Sequence, residues 1–303
     1  MKFNLEIMKS FDPKTLSVQA LHGFLLSSVG PRPIALASTI NENGVPNLAP
    51  FSFFNVFSAN PPIMIFSPAR RGTDSSTKHT YENVKQVKEA VINIVDYQMV
   101  HQMVLTSANF PEGVSEFEKA GFTPIASEVV KPMRVKESPV QFECKITKII
   151  ELGDGPASGN LIFAEVVRFH VNEEILGENG RIDPEKIDLV GRAGGNYYAR
   201  AFGNSLFEIS RPNDDNMGMD KLPKDIKMSK VLSGNELAIL ANEPALPDET
   251  DINEYKLLEL HELFIKYEDN AVQLENELHH HAKKLIEAGM VLDAWKTLLA
   301  FNN

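Results

Sequence analysis

Three phenylalanines in four positions, Phe51, Phe53 and Phe54, with Pro50 before them, Ser52 among them and Asn55 after, constrain this chain more than any other segment. The approach to them is extended. Ile34 to Ile40 is β-branched and small, Asn41-Glu42-Asn43-Gly44 turns the chain, and Val45 restarts a strand that runs to Phe51. A hairpin therefore feeds a crowded strand in which Pro50 lacks a backbone donor and Ser52 and Asn55 supply short polar groups. Few core strands are built this way. Apolar walls with a few fixed hydrogen-bonding groups suit a flat heteroaromatic ring, whose faces are apolar and whose rim carries carbonyl and imide groups.

Lys78-His79-Thr80 follows some two dozen residues later, at a predicted helix start, where free N–H groups and the positive dipole end favour an anion. Taken alone, the pair Lys78 and Thr80 reads more readily as a solvated lysine beside a capping threonine, and the anion reading gains its weight from the Phe51 to Asn55 strand and the resemblance below. Arg70 and Arg71 lie just upstream, with a phosphate contact or a surface role open to either. Arg192, followed by Gly194-Gly195 and Tyr197-Tyr198, suits the phosphate and adenine parts of a pyridine nucleotide, and suits a structural turn as well. Arg32, between Pro31 and Pro33, is similarly open.

Together these segments resemble the flavin reductase-like family of FMN-binding split barrels. The resemblance is carried by Pro31 to Ala35, Ser38-Thr39, Asn47 to Asn55, Asn60-Pro61-Pro62 and Lys78-His79-Thr80, with His79 where the family usually has Asp. It continues through Phe142-Glu143-Cys144-Lys145 and Gly191 to Gly195, covering roughly residues 25 to 200. The expected fold class is mainly β (α+β): an FMN-binding split β-barrel of antiparallel strands with rim helices and a helical C-terminal extension. The resemblance implies FMN contacts from Ser38, Thr39, Ala49, Pro50, Phe51, Ser52, Phe53, Phe54 and Asn55 around the ring and ribityl chain. It implies Lys78 and Thr80 at the phosphate, with Arg71 and Arg192 as further cofactor contacts. It also implies a homodimer with the flavin near the subunit interface and NAD(P)H as reductant. In such chemistry the cofactor supplies the reactivity, so no catalytic side chain is assigned. Two other readings stay open: a flavin carrier or sensor without turnover, and an FMN oxidase of a specific small substrate.

Composition narrows the class. At 303 residues and 43% hydrophobic the chain can bury a substantial core, and no apolar run approaches the roughly 18 residues of a membrane span. The N-terminal stretch contains Glu6 and Asp12 and lacks a long apolar core, so the expectation is a cytoplasmic protein. A net charge of −11 argues against nucleic-acid binding. The single cysteine, Cys144, reads as a packing residue. His279-His280-His281 cannot close on one metal ion, because consecutive helical residues point about 100° apart, and no metal site is expected.

Strands are expected at Ile34 to Ile40, Val45 to Phe51, Ile63 to Ser67, Ala90 to Val95, Gln141 to Ile150 and Leu161 to Val171. In the fifth, Phe142, Cys144 and Ile146 share one face, and Glu143, Lys145 and Thr147 the other. The glycine-rich loop Gly153 to Asn160 reads as a hairpin turn, since a strand and not a helix follows it. Thr80 is expected to cap a helix over Tyr81 to Glu89, and Ser115 one over Glu116 to Ala120. The domains are placed at 1–205, the flavin-binding unit, and 206–303, a helical extension beginning near Ser229. Within it, Leu260 to Leu285 forms one apolar stripe, predicted as a single long helix, with Gly289 as its cap and a second helix from Met290 to Phe301 folding back.

Overall fold

The computed structural model describes residues 8–209, 211–212 and 218–302. They divide into two compact units between Phe207 and Glu208. In the first, α1 (Val18–Ser28) precedes β1 (Ala35–Ile40), β2 (Pro46–Phe51), β3 (Phe54–Ala59), β4 (Pro62–Phe66), α2 (His79–Gln86) and β5 (Glu89–Ile94). Then come α3 (Val100–Leu105), α4 (Glu116–Ala120), β6 (Pro124–Ile125), β7 (Arg134–Val135), β8 (Val140–Glu151) and β9 (Asn160–Val171). A small hairpin, β10 (Val190–Arg192) with β11 (Tyr198–Arg200), closes the unit.

Seven strands form one antiparallel sheet in the order β2-β1-β5-β8-β9-β4-β3. The two edge strands, β2 and β3, are consecutive in the chain with only Ser52 and Phe53 between them. Six inter-strand gaps at about 4.8 Å would hold the edges of a flat sheet roughly 29 Å apart. The step from Phe51 to Phe54 can span no more than about 11 Å. The sheet must therefore curl until its edges nearly meet, leaving a split between β2 and β3. The core agrees: Ala37, Phe51, Phe66, Ile92, Cys144 and Ile162, from six of the strands, share one buried cluster, with Phe54 of β3 packed against it. On the other side of β1, Leu36 and Leu48 pack with Met99, Met103 and Phe117 beneath α3 and α4.

Local chemistry explains most boundaries. Pro50 is accommodated because β2 is an edge strand. Ser115 caps α4 by accepting the Glu118 N–H, and Gly121 ends that helix at φ +69°, a conformation that favours glycine. The Gly153 to Asn160 loop joins β8 to β9 as a hairpin. Two expectations are corrected. Thr80 does not cap α2; Lys78 is the N-cap residue, without a side-chain cap bond, and Thr80 lies inside the first turn. Glu143 is not solvent-facing as Lys145 is. It keeps its side of β8, the register shift beside it falling on β9, but the Glu128 to Val130 segment covers it there and its side chain is fully buried.

Glu143 is consequently a clamp. Its carboxylate accepts the N–H groups of Glu128, Val129 and Val130 at 2.9, 2.7 and 3.2 Å, and His170 Nε2 lies 2.7 Å away. Burial opposes its charge, but the N–H groups of Glu128 and Val129, followed by His170, outweigh that and hold its pKa below the usual carboxylate range.

The second unit is helical: α5 (Lys224–Lys227), α6 (Gly234–Ala241), α7 (Glu249–Leu258), α8 (His261–Lys266), α9 (Ala271–Glu287) and α10 (Val291–Leu299). The Leu260 to Leu285 stripe is thus not one helix. It breaks between α8 and α9, where Asn270 caps α9 through the Gln273 N–H at 3.1 Å. Gly289, at φ +78°, turns the chain, and α10 folds back so that Trp295, Leu298, Ala282, Ile286 and Leu240 share a core. Trp295 Nε1 donates to the Leu240 carbonyl at 3.1 Å, satisfying the indole. His279 is buried against Ser229, 2.7 Å from its hydroxyl. No helix of the described residues is long and apolar enough to cross a membrane.

Replacing Glu143 by Ala strands three backbone donors and should lower unfolding free energy by about 3 kcal/mol at neutral pH. Because the folded carboxyl has the lower pKa, its contribution is complete above roughly pH 5 and fades as the pH falls below about 4. Urea titrations at several pH values should therefore find wild type and variant converging in acid, and parallel curves would refute the assignment. A chain ending at Phe207 should retain a cooperative β-type thermal transition by circular dichroism. A molten trace would make the helical unit necessary for folding.

Candidate functional site

The link between β2 and β3 sits at the split of the barrel. Phe51 points into the core and is 4% exposed, whereas Phe53 is 40% exposed. Phe54 is half-buried and Asn55 is exposed, its Oδ1 accepting the N–H of Val56 at 2.8 Å. The link is braced from both ends: the Ser67 N–H donates to the Phe53 carbonyl at 2.9 Å, and Arg32 Nε donates to Ser52 Oγ at 3.3 Å. His22 of α1 meets the Phe53 ring edge-on, with centroids 6.3 Å apart.

Beside this link lies a recess of about 60 Å3 whose wall includes Ala49, Pro50, Arg71, Lys78, Thr80 and Phe110. Lys78 Nζ sits 5.3 Å from the centroid of the Phe51 ring. Burial first, and then the charge of Arg71, press the Lys78 pKa below its ordinary value. Arg71 is held by Ser76 Oγ and the Thr77 carbonyl, at 3.1 and 2.5 Å. Among the described residues no carboxylate forms an ion pair with Lys78 or Arg71. The first turn of α2 starts at the same point, so two cations outside any close ion pair and a helix N-terminus converge on one small recess. Such a place favours an anion.

Thr80 is 1% exposed and its Oγ1 accepts from Asn47 Nδ2 at 2.9 Å, which fixes the hydroxyl at the back of the recess. Of the residues expected from sequence, Ala49, Pro50, Arg71, Lys78 and Thr80 are brought together here. The Ser38 and Thr39 hydroxyls are not. Adjacent on β1, they point to opposite faces, and both residues are fully buried. Thr39 accepts from Asn83 Nδ2 at 3.1 Å, and no hydrogen bond satisfies Ser38 Oγ among the described residues.

Arg192 also lies outside the recess. Its guanidinium stacks on Tyr198, 4.6 Å from the ring centroid, and donates to the Gly195 carbonyl at 2.6 Å. Arg32 ties this hairpin to the β2–β3 link: besides Ser52 it donates to the carbonyls of Leu26, Val29 and Ala193. At 7% exposed it is a strut. Sequence reasoning missed the segment Thr106 to Phe110 and Glu116, which also wall the recess. The turn-forming Ser107-Ala108-Asn109 was the available signal, but the six-residue α3 before it is too short to announce itself by periodicity.

Residues 27–201, more than half of the chain, match the family model of the flavin reductase like domain. An uncharacterized protein of Aquifex aeolicus is 41% identical over 199 residues, 66% of this chain and 99% of that protein. Nitrilotriacetate monooxygenase component B from Bacillus cereus shares 36% identity at a TM-score of 0.62, covering 67% of this chain and 98% of that one. The 2-nitrobenzoate 2-nitroreductase NbaA of Pseudomonas fluorescens shares 29% at a TM-score of 0.60, over 68% and 97%. A Shewanella frigidimarina protein described as a flavin reductase with split barrel domain shares 26% at 0.57, over 67% and 100%. This chain belongs to the flavin reductase-like family, and its first unit is the split barrel of that family.

Proposed function

We propose that the protein binds FMN and uses it to accept hydride from NAD(P)H, acting as a homodimer with the flavin near the subunit interface. The observation that carries this reading is the half-buried Lys78, ion-paired to no carboxylate among the described residues and close to both the Phe51 ring and the charge of Arg71. Keeping a cation there costs desolvation that a bound phosphate would offset. The residues present fit the cofactor: Lys78, Arg71 and the N–H groups of the first turn of α2 would hold the phosphate, and the Ala49 to Asn55 segment would flank the ring system.

A recess of about 60 Å3 has room for a phosphate group, not for a ring system, since small-molecule pockets begin near 300 Å3. The ring would therefore lie along the open side of the β2–β3 link, where Phe53 and Asn55 are accessible. A second copy covering that side would exclude water, which is the physical support for the homodimer. When bound, flavin supplies the two-electron chemistry. The chain's part is orientation. Phe53 offers an apolar surface, Arg32 holds Ser52 in place, and Lys78 anchors the far end. Similarity to proteins named as a nitroreductase and a monooxygenase component supports an oxidoreductase role over a carrier without turnover.

The reading predicts that purified protein with added FMN oxidises NADH or NADPH at a rate that saturates in both. FMN bound without any pyridine-nucleotide consumption would instead favour the carrier. Lys78→Ala removes one charge-assisted contact and should weaken FMN by about 1.5 to 3 kcal/mol while leaving riboflavin nearly unaffected. Equal losses for the two flavins in fluorescence titrations would move the phosphate away from Lys78.

A further inference from the structure

A second and larger cleft, about 310 Å3, opens between the β1–β2 turn, α2 and the segment leading into α4. It shares Asn47, His79 and Glu116 with the recess that contains Lys78, so the two are neighbouring compartments of one depression. Their linings differ in kind. Arg71 and Lys78 mark the first, whereas the second has no Lys or Arg and is walled by Glu42, Glu82 and Glu112 with the amides of Asn43, Asn83 and Gln86.

We infer that this cleft is a nucleoside compartment, taking the ribose and base of a ligand held next to the phosphate recess; the inference rests on the flavin reading above. A wall of carboxylates without cations repels a further phosphate, but it accepts hydrogen bonds from ribose hydroxyls. Carboxamides carry both donors and acceptors, as the edge of a base requires. Val45, Pro46, Pro111 and Val114 add apolar contact for its face. The volume stands at the lower limit of small-molecule pockets, about 300 Å3, which suits one nucleoside and excludes a whole dinucleotide.

Glu116 supplies an independent observation. It is 6% exposed and lines both compartments, and its Oε2 accepts the Leu48 N–H at 3.1 Å. No side chain hydrogen-bonds or ion-pairs with that carboxylate among the described residues. A buried carboxylate on the wall of a polar cleft, bonded by backbone N–H groups and, among the described residues, by no side chain, keeps lone pairs that a ligand hydroxyl can meet.

The nucleoside has two possible sources, the adenosine half of a dinucleotide flavin or that of the pyridine nucleotide, and one substitution separates them. Gln86 is exposed on α2 and belongs to this cleft alone. In the full chain, Gln86→Trp fills the cleft without touching Lys78. FMN and FAD affinities are measured by flavin fluorescence, and KM for NADH and NADPH with FMN saturating. The expected result is FMN affinity unchanged within about twofold, together with at least about a tenfold loss for FAD or a tenfold rise in pyridine-nucleotide KM. A loss confined to FAD assigns the nucleoside to the flavin, and a rise confined to KM assigns it to the reductant. If neither changes, or FMN falls by the same factor as FAD, the cleft holds no nucleoside. Failure of the unsubstituted protein to bind FMN would overturn the flavin reading itself, and this inference with it.

Discussion

The two-residue step from β2 to β3 is the constraint on which the rest depends. Chain continuity allows about 11 Å where a flat sheet would demand roughly 29 Å, so curvature is imposed by covalent geometry and not merely favoured by packing. Curling brings the inward residues of β1, β2, β4, β5, β8 and β9 into one core. It also leaves the link itself at the edge of the sheet, with Phe53 exposed to solvent. A site at the split follows from closure.

Charge is distributed with the same economy. Residues 208–303 carry nineteen acidic and ten basic side chains, a net of −9, leaving −2 for residues 1–207. A nearly neutral barrel lets a small local group such as Lys78 with Arg71 dominate its own recess, because no large field of either sign opposes or dilutes it. The neighbouring cleft inverts the sign over a short distance, so the depression distinguishes a charged end of a ligand from a polar neutral one.

Much of this was legible in sequence, for reasons that can be assigned. β1, β5, β8 and β9 show through their β-branched and alternating residues, and Ser115 with Gly121 marks α4 by cap chemistry. β3 escaped because Asn55 and Ser58 interrupt its apolar residues and, as an edge strand, it needs no regular inward face. α1 escaped because none of its residues is buried, so there was no core-facing stripe to detect. The Thr80 cap failed because the buried Asn47 amide claims its hydroxyl, a tertiary contact 33 residues distant that no local rule contains. Glu143 read as a solvent-facing residue because periodicity cannot see that the Glu128 to Val130 segment folds over its side of β8 and spends three N–H groups on its carboxylate. The helical unit broke where Asn270, a capping residue inside an otherwise periodic run, offered the chain a new start.

The pairing pattern of the barrel bears on how it assembles. β8 and β9 are twelve residues each and joined by a short turn, so their ladder is local and can form early. Closing β4 onto β9 is another matter, since Ile63 pairs with Glu165 and Met64 with Ala164, about a hundred residues apart. Loop-closure entropy must be met before such contacts reward the chain, and high contact order slows folding. During biosynthesis β4 leaves the ribosome long before its partner exists. The Phe51 to Asn55 segment can pair locally, Phe51 with Ala35 of β1 and Phe54 with Phe66 of β4, but the Phe51 ring lacks the core side chains of β8 and β9 until those strands arrive, so this aromatic stretch needs shielding while the chain is incomplete.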